Sequence, residues 1–290
     1  MKNLISIIIP TRNRKKYVKD LISDIDKQIL PESYSKEIIV ADQSDTRSKI
    51  NNCEYYYLDS TGPCVSRNFA AKRAQGEILV FLDDDARIEN NFIYEITKPI
   101  ITNITFAVAG AVCDINGKYP KDDKEFLKKD SFNFLKVLTA NPNNQNSGFC
   151  MSFPGCCAAI VKNVFNDLGG FDEKFDPTGA GEDRDLAMNL FSNGYGIYYN
   201  HLARLFHIGV GTGGSRDVGS RSLYLEINTH KICLKYFSVT LSENLEHSIL
   251  SGYKYKLLRS ALRIKGLRTN YINYQHLKRE LSENYNKYKD

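Results

Sequence analysis

No apolar run in this 290-residue chain approaches the ~20 residues that a membrane-spanning helix needs, so a soluble or at most peripheral protein is expected. The N-terminus has one Lys and a short apolar run ending at Pro10, with no small-residue cleavage site, and reads as a first strand rather than a secretory signal. The seven cysteines are odd in number and contain no Cys-x-x-Cys pair. Neither a disulfide framework nor a zinc site is suggested, and a reducing, cytoplasmic compartment fits. No Gly-x-Gly-x-x-Gly follows the first strand, and no Gly-x-x-x-x-Gly-Lys-Ser/Thr occurs anywhere, which removes the usual backbone cradles for dinucleotides and triphosphates. One Gly-x-Gly-x-x-Gly does occur late, at Gly209-Val210-Gly211-Thr212-Gly213-Gly214, but Ser215 to Ser220 opens no convincing helix, so a mobile loop is expected there.

What is present is ordinary globular material, 42% apolar and 25% charged. A chain this long can bury roughly 75% of its unfolded surface. The net charge of +5 is unevenly placed: residues 221–290 hold 13 Lys/Arg against 6 Asp/Glu, a balance of +7, leaving the body at −2. The C-terminal quarter therefore presents a different surface from residues 1–220.

The most informative stretch is Ile78-Leu79-Val80-Phe81-Leu82 running into Asp83-Asp84-Asp85. The apolar part reads as a strand buried on both faces. Two unit charges ~4 Å apart at an effective dielectric near 20 repel by roughly 4 kcal/mol, so three adjacent carboxylates imply either a solvated turn or a cation that answers them. Around this stretch strands alternate with helices. Leu4 to Ile9 precedes Pro10-Thr11-Arg12-Asn13-Arg14, and Tyr17, Val18, Leu21, Ile22, Ile25 and Ile29 recur at helical spacing. Glu37 to Ala41 ends in Asp42-Gln43-Ser44, Tyr55 to Leu58 is a short strand, and Val65 to Gln75 is a helix with Val65, Phe69, Ala70 and Ala74 inward and Gly76 as its stop. This alternation predicts an α/β fold with a mostly parallel, doubly wound sheet and a ligand crevice beyond the strand ends, where Thr11-Arg12, Asp42, Ser44 and Asp83 to Asp85 gather.

Further strands are expected at residues 106–112 and around Ala158 to Val161, with a surface loop over Asn141 to Gly148. Gly181-Glu182-Asp183-Arg184-Asp185 opens a helix carrying Leu186, Ala187, Leu190 and Phe191. Acidic residues in a first helical turn favour the helix dipole by ~0.3–1 kcal/mol each without any function, so Glu182 and Asp183 remain open at this level. His207, at the end of an apolar strand from Ala203 and beside Phe206 and Ile208, reads by itself as structural, with a ligand role as the alternative. Residues 221–290 read as helices with two apolar stripes, one over Leu250 to Leu262 and one over Tyr271 to Tyr288. Such stripes either pack against protein or, with the basic residues, lie on anionic lipid or hold a partner.

Taken together, residues 4–208 resemble an inverting family 2 glycosyltransferase with the GT-A nucleotide-sugar fold. Ile7 to Arg14 is similar to that family's first strand and loop, Val40 to Ser44 to its second strand, and Gly62 through Asp85 with Arg67-Asn68 to the segment that ends in its Asp-x-Asp motif. Gly169-Gly170-Phe171-Asp172 and Gly181-Glu182-Asp183 match its acceptor-side landmarks. The resemblance implies Mn²⁺ or Mg²⁺ on Asp85, with Asp83 near metal or ribose, Asp84 near the donor sugar and His207 as a further ligand. It also implies Asp42 at the base, Pro10, Thr11, Arg12 and Ser44 lining the nucleotide pocket, Arg67 at the diphosphate, Asp183 as general base and Glu182 at acceptor hydroxyls.

Tryptophan is absent, so the Gln-x-x-Arg-Trp motif of processive relatives is missing, and transfer of a single sugar is implied. Pro154-Gly155-Cys156-Cys157 also departs from the family's usual Gly-Gly-Asn-like segment. The expected partners are a UDP- or dTDP-sugar donor and a glycan or lipid-linked acceptor in bacterial cell-surface assembly, with no nucleic acid. The organisation expected is a GT-A domain at 1–220, made of a nucleotide-sugar half (1–112) and an acceptor half (113–220), followed by a basic, Tyr-rich extension at 221–290. That extension could reach the inner face of the membrane, and an oligomer is compatible with the chain. Two other readings stand beside this one: a sugar nucleotidyltransferase and a non-catalytic nucleotide-sugar binding module.

Overall fold

Four parallel strands, β1 (Asn3–Thr11), β2 (Tyr34–Asp42), β3 (Glu54–Tyr57) and β4 (Ile78–Leu82), make one half of a nine-stranded sheet in the order β3-β2-β1-β4. Helix α1 (Lys15–Asp26) follows β1 and α2 (Pro63–Arg73) follows β3. The chain continues through β5 (Ala86–Ile88), α3 (Phe92–Ile101), β6 (Ala107–Cys113), β7 (Gly148–Cys150), β8 (Cys157–Val161), α4 (Lys162–Asp167), α5 (Glu182–Ser192) and β9 (Ile197–His207). These strands extend the sheet as β4-β8-β6-β9-β5, with β7 also on β9. β8 runs antiparallel to both β4 and β6, while β6 and β9 are parallel. The computed structural model describes residues 3–119, 145–236, 246, 249–250 and 267–288. The Asn-rich positions 141–144 and the apolar stripe over 251–262 lie outside the described residues.

Period-two alternation explains how β1 and β4 are buried on both faces. Ile5, Ile7 and Ile9 join Ile78, Val80 and Leu82 in one core with Val18, Leu21, Ile22 and Ile25 of α1, residues spaced i, i+3, i+4 and i+7 along one helical stripe. On the opposite face Phe81 meets Phe165 and Phe171 at centroid distances of 5.2 and 5.3 Å. The β1 ladder holds β2 along its whole length but β4 only as far as Ile8↔Phe81. β1 and β4 therefore part towards their carboxyl ends.

Two local expectations give way to tertiary packing. In α2 the inward face carries Cys64, Ser66, Arg67, Ala70 and Ala71, whereas Phe69 is half-exposed under Arg73 and beside Tyr56. Hydrophobic spacing put Phe69 inside because it could not see that Arg67 has carboxylate partners in the interior. Gly76 does not end the helix, which stops at Arg73. A Cβ at Gly76 would come within 2.6 Å of the Leu4 carbonyl oxygen, so glycine is needed there for the approach of β4's leading end to β1.

The described residues divide into two units, Met1–Val218 and Gly219–Asp290. In the second, α6 (Arg221–Tyr236) and α7 (Leu267–Tyr288) share a small core of Leu223, Ile227, Leu277 and Leu281. No helix among the described residues is long and apolar enough to cross a membrane.

Candidate active site

Strand register gathers the acidic residues. Thr11 pairs with Asp42 at the ends of β1 and β2. β4 stops at Leu82, and the chain turns through Asp83 to Asp85 into β5, where Ala86 pairs with His207 on β9. That antiparallel pair brings His207 beside the triplet from 122 positions away, and Ile208 N–H donates to the Asp85 carbonyl at 3.0 Å.

The three carboxylates point to different neighbours. Asp83, with 34% of its side chain exposed, accepts from Arg67 Nη2 at 2.8 Å. Asp84 is 3% exposed and accepts from Thr11 Oγ1 at 2.7 Å and from Arg14 Nη1 at 2.9 Å. Asp85, 1% exposed, accepts from the Val210 N–H at 3.1 Å and lies 3.2 Å from His207 Nε2 and 3.3 Å from Arg14 Nη1. Burial pushes the Asp84 carboxyl up to about 6 against the pull of Arg14. Burial acts the same way on Asp85, but the His207 hydrogen bond and charge, helped by Arg14, hold that group below its ordinary value. The same contact draws the His207 imidazole upward.

One ligand atom from each of Asp83, Asp85 and His207 lies within 4.8 Å of the others. Carboxylate oxygens with one imidazole suit a hard or borderline divalent cation such as Mg²⁺ or Mn²⁺, so the donor set fits the expected metal. Asp84, expected at the donor sugar, is instead turned inward with both oxygens engaged. Thr11 holds that carboxylate as its partner.

The other expected nucleotide contacts are arranged as support for one another. Asp42 is 1% exposed and accepts from the Ser44 N–H at 2.8 Å, from the Ser44 hydroxyl and from the Tyr55 hydroxyl at 2.7 Å. Ser44 Oγ in turn accepts the Asn13 N–H at 2.7 Å. Pro10 is half-buried opposite Ala41. Arg12 pairs with Asp45 at 3.2 Å, while the next basic residue, Arg14, reaches the triplet. Arg14 carried no role in the sequence, because an Arg at a helix start reads as solvated. Its one signal was its place in a loop facing three carboxylates.

Arg67 also differs from expectation. It is 3% exposed and places Nη1 2.8 Å from Glu182 Oε1 and Nη2 2.8 Å from Asp83 Oδ1, over the Phe171 ring. Burial opposes its charge, but the two carboxylates outweigh burial and raise its pKa further. Its fork thus ties Asp83 of the triplet to Glu182. Asp183 is half-buried and accepts the Gly155 N–H at 3.1 Å. A Cβ at Gly155 would stand 3.2 Å from Glu182 Oε1, so the divergent Pro154-Gly155-Cys156-Cys157 stretch fits closely against the pair. Burial pushes the Cys156 thiol well up, with Asp83 and Asp183 adding to the effect, which puts Cys156 within electrostatic reach of both.

The segment before Glu182 is moored to α2. That helix has no side-chain cap of its own. Its Cys64 and Val65 N–H groups donate to Asp176 at 3.1 and 3.0 Å, across more than 110 residues of chain. Gly62, at φ +132°, leaves room for that carboxylate, since a Cβ would fall 2.0 Å from Asp176 Cγ. Asp176→Ala should cost roughly 0.5–2 kcal/mol, the usual loss for an N-cap, read as a lower urea midpoint at unchanged slope. An unchanged midpoint would mean that water replaces the carboxylate without loss.

A mostly parallel sheet with flanking helices, whose strand ends bring Asp83, Asp85 and His207 together, is an α/β fold of the GT-A type. The sequence profile of glycosyl transferase family 2 matches residues 6–169, and the chain belongs to that family. Glu182, Asp183 and His207 lie beyond the matched stretch. Among curated relatives, the chain is 33% identical over 91 residues to the poly(ribitol-phosphate) beta-N-acetylglucosaminyltransferase TarS of Staphylococcus aureus, covering 28% of this chain and 16% of that protein. It is 24% identical over 225 residues to the GalNAc(5)-diNAcBac-PP-undecaprenol beta-1,3-glucosyltransferase of Campylobacter jejuni, covering 68% of this chain and 72% of that one. The crystal structure of S. aureus TarS 1–349 in complex with UDP-GlcNAc shares the fold, with a TM-score of 0.58 at 18% identity over 83% of this chain and 70% of that chain. The matched part of this chain thus spans a small fraction of the full-length TarS enzyme.

Proposed function

We propose that the chain is an inverting, metal-dependent, non-processive glycosyltransferase that moves one sugar from a nucleoside-diphosphate sugar to a hydroxyl of a glycan or lipid-linked acceptor in cell-surface assembly. The observation that carries this reading is the convergence of Asp83, Asp85 and His207 ligand atoms within 4.8 Å at the strand ends, in a family 2 chain. Mn²⁺ or Mg²⁺ bound there supplies Lewis-acid neutralisation of the departing diphosphate. Asp85 and His207 hold that cation, and Asp83 shares it or meets the ribose. Asp42, oriented by Ser44 and Tyr55, accepts from the base. Asp183 takes the proton of the acceptor hydroxyl as its oxygen bonds to the anomeric carbon from the face opposite the nucleoside diphosphate, whose bond to that carbon breaks, so the carbon is inverted. Glu182, held by Arg67, binds acceptor hydroxyls.

In this reading residues 1–112 serve the donor and 113–220 the acceptor. The +7 balance of 221–290 favours an anionic membrane surface on the cytoplasmic side, where lipid-linked acceptors are presented. The UDP-GlcNAc complex of the structural neighbour supports a nucleotide sugar as donor.

The test is a panel of UDP- and dTDP-sugars incubated with the protein and Mn²⁺ or Mg²⁺. Slow release of nucleoside diphosphate from one donor, stopped by chelator, is expected. Pyrophosphate release from a nucleoside triphosphate plus a sugar phosphate would instead assign a nucleotidyltransferase. Inertness towards the whole panel with tight nucleotide binding would assign a binding module.

A further inference from the structure

The chain's Gly-x-Gly-x-x-Gly stretch wraps around a side chain. Arg14 is 8% exposed, and its guanidinium donates from Nε to the Thr212 carbonyl at 2.9 Å and from Nη2 to the Val210 and Gly213 carbonyls at 3.1 Å each. Nη1 serves Asp84 at 2.9 Å, with Asp85 3.3 Å away. The loop returns the contact, since the Val210 N–H donates to Asp85 Oδ2 at 3.1 Å and the Gly214 N–H to the Arg12 carbonyl at 2.9 Å. Gly213 sits at φ +72°, and a Cβ there would meet the Arg12 carbonyl oxygen and Arg14 Cγ, both at 2.9 Å. The glycines therefore give room to a guanidinium, and the loop's carbonyls take up the donors that the carboxylates leave over.

We infer that Arg14 is a positioning residue that fastens residues 209–214 to the acidic triplet and thereby fixes the orientation in which Asp85 meets metal and nucleotide. A planar five-donor fork can serve two carboxylates and three carbonyls together, whereas the compact ammonium of Lys cannot. The inference rests on the metal and nucleotide-sugar reading for its consequence, but the fastening itself is independent of it.

Arg14→Lys and Gly213→Ala, made in the full chain, separate the two. In the ligand-free proteins, amide hydrogen exchange at 209–214 should speed up about tenfold or more, while amides of β4 keep wild-type rates. Calorimetry with Mn²⁺ and UDP should then show affinity lowered by about 10- to 100-fold, the usual effect of losing support behind a metal ligand. If the wild type binds UDP no better with Mn²⁺ than without, the functional reading fails and the exchange data still decide the fastening. Wild-type exchange at 209–214 in Arg14→Lys overturns the inference, as does wild-type Mn²⁺–UDP affinity alongside loosened exchange. Should Arg14→Lys fail to fold, Gly213→Ala approaches the same contact from the loop side and is read by the same criteria.

Discussion

Asp85→Asn is expected to abolish metal-dependent nucleotide binding and to lower sugar transfer by at least a thousandfold. The metal's charge stabilisation is worth several kcal/mol, and ~4 kcal/mol corresponds to roughly a thousandfold in rate. Asn keeps the volume of Asp85 and an oxygen for the Val210 N–H, so the loop after β9 retains its anchor. What it removes is the charge that His207 and Arg14 face at 3.2 and 3.3 Å. Titration of Mn²⁺ into the UDP-saturated protein, followed by electron paramagnetic resonance, reads the effect directly. Chelating the metal from the wild type should reproduce the loss, and adding it back should restore binding only in the wild type. Metal-dependent UDP binding of wild-type strength in Asp85→Asn would remove Asp85 as a ligand.

Asp183→Asn should behave in the opposite way at the donor. A positioned general base contributes about 10²- to 10⁴-fold, so transfer should fall by that factor while donor affinity stays within twofold. Asn keeps an acceptor for the Gly155 N–H, which limits disturbance of the Pro154-Gly155 turn. Isothermal titration with the donor and initial rates with the acceptor, measured on the same preparation, supply the comparison. Retention of most transfer activity would move the role of base to another group.

The sequence made the sheet and the acidic triplet legible because both are local signals. An apolar run meeting three carboxylates needs no knowledge of the rest of the chain, and α1 keeps its stripe because Val18, Leu21, Ile22 and Ile25 meet an ordinary core. Roles that depend on partners distant in sequence were not legible. The family resemblance implies a diphosphate contact for Arg67, yet Glu182, 115 residues on, and Asp83 together claim it. Thr11 and Asp84 are 73 residues apart and satisfy one another. The late glycine-rich stretch was legible as something other than a dinucleotide loop, but only the fold says that Arg14, nearly 200 residues earlier, is what it surrounds.

The mooring of Asp176 on α2 has a practical side for anyone redesigning the enzyme. Helix α2 carries Arg67, Arg67 grips Glu182, and Asp176 clamps the approach to that helix, so Glu182 is mechanically tied to α2. Any redesign around Glu182 therefore has to keep Arg67, Asp176 and the glycine at 155.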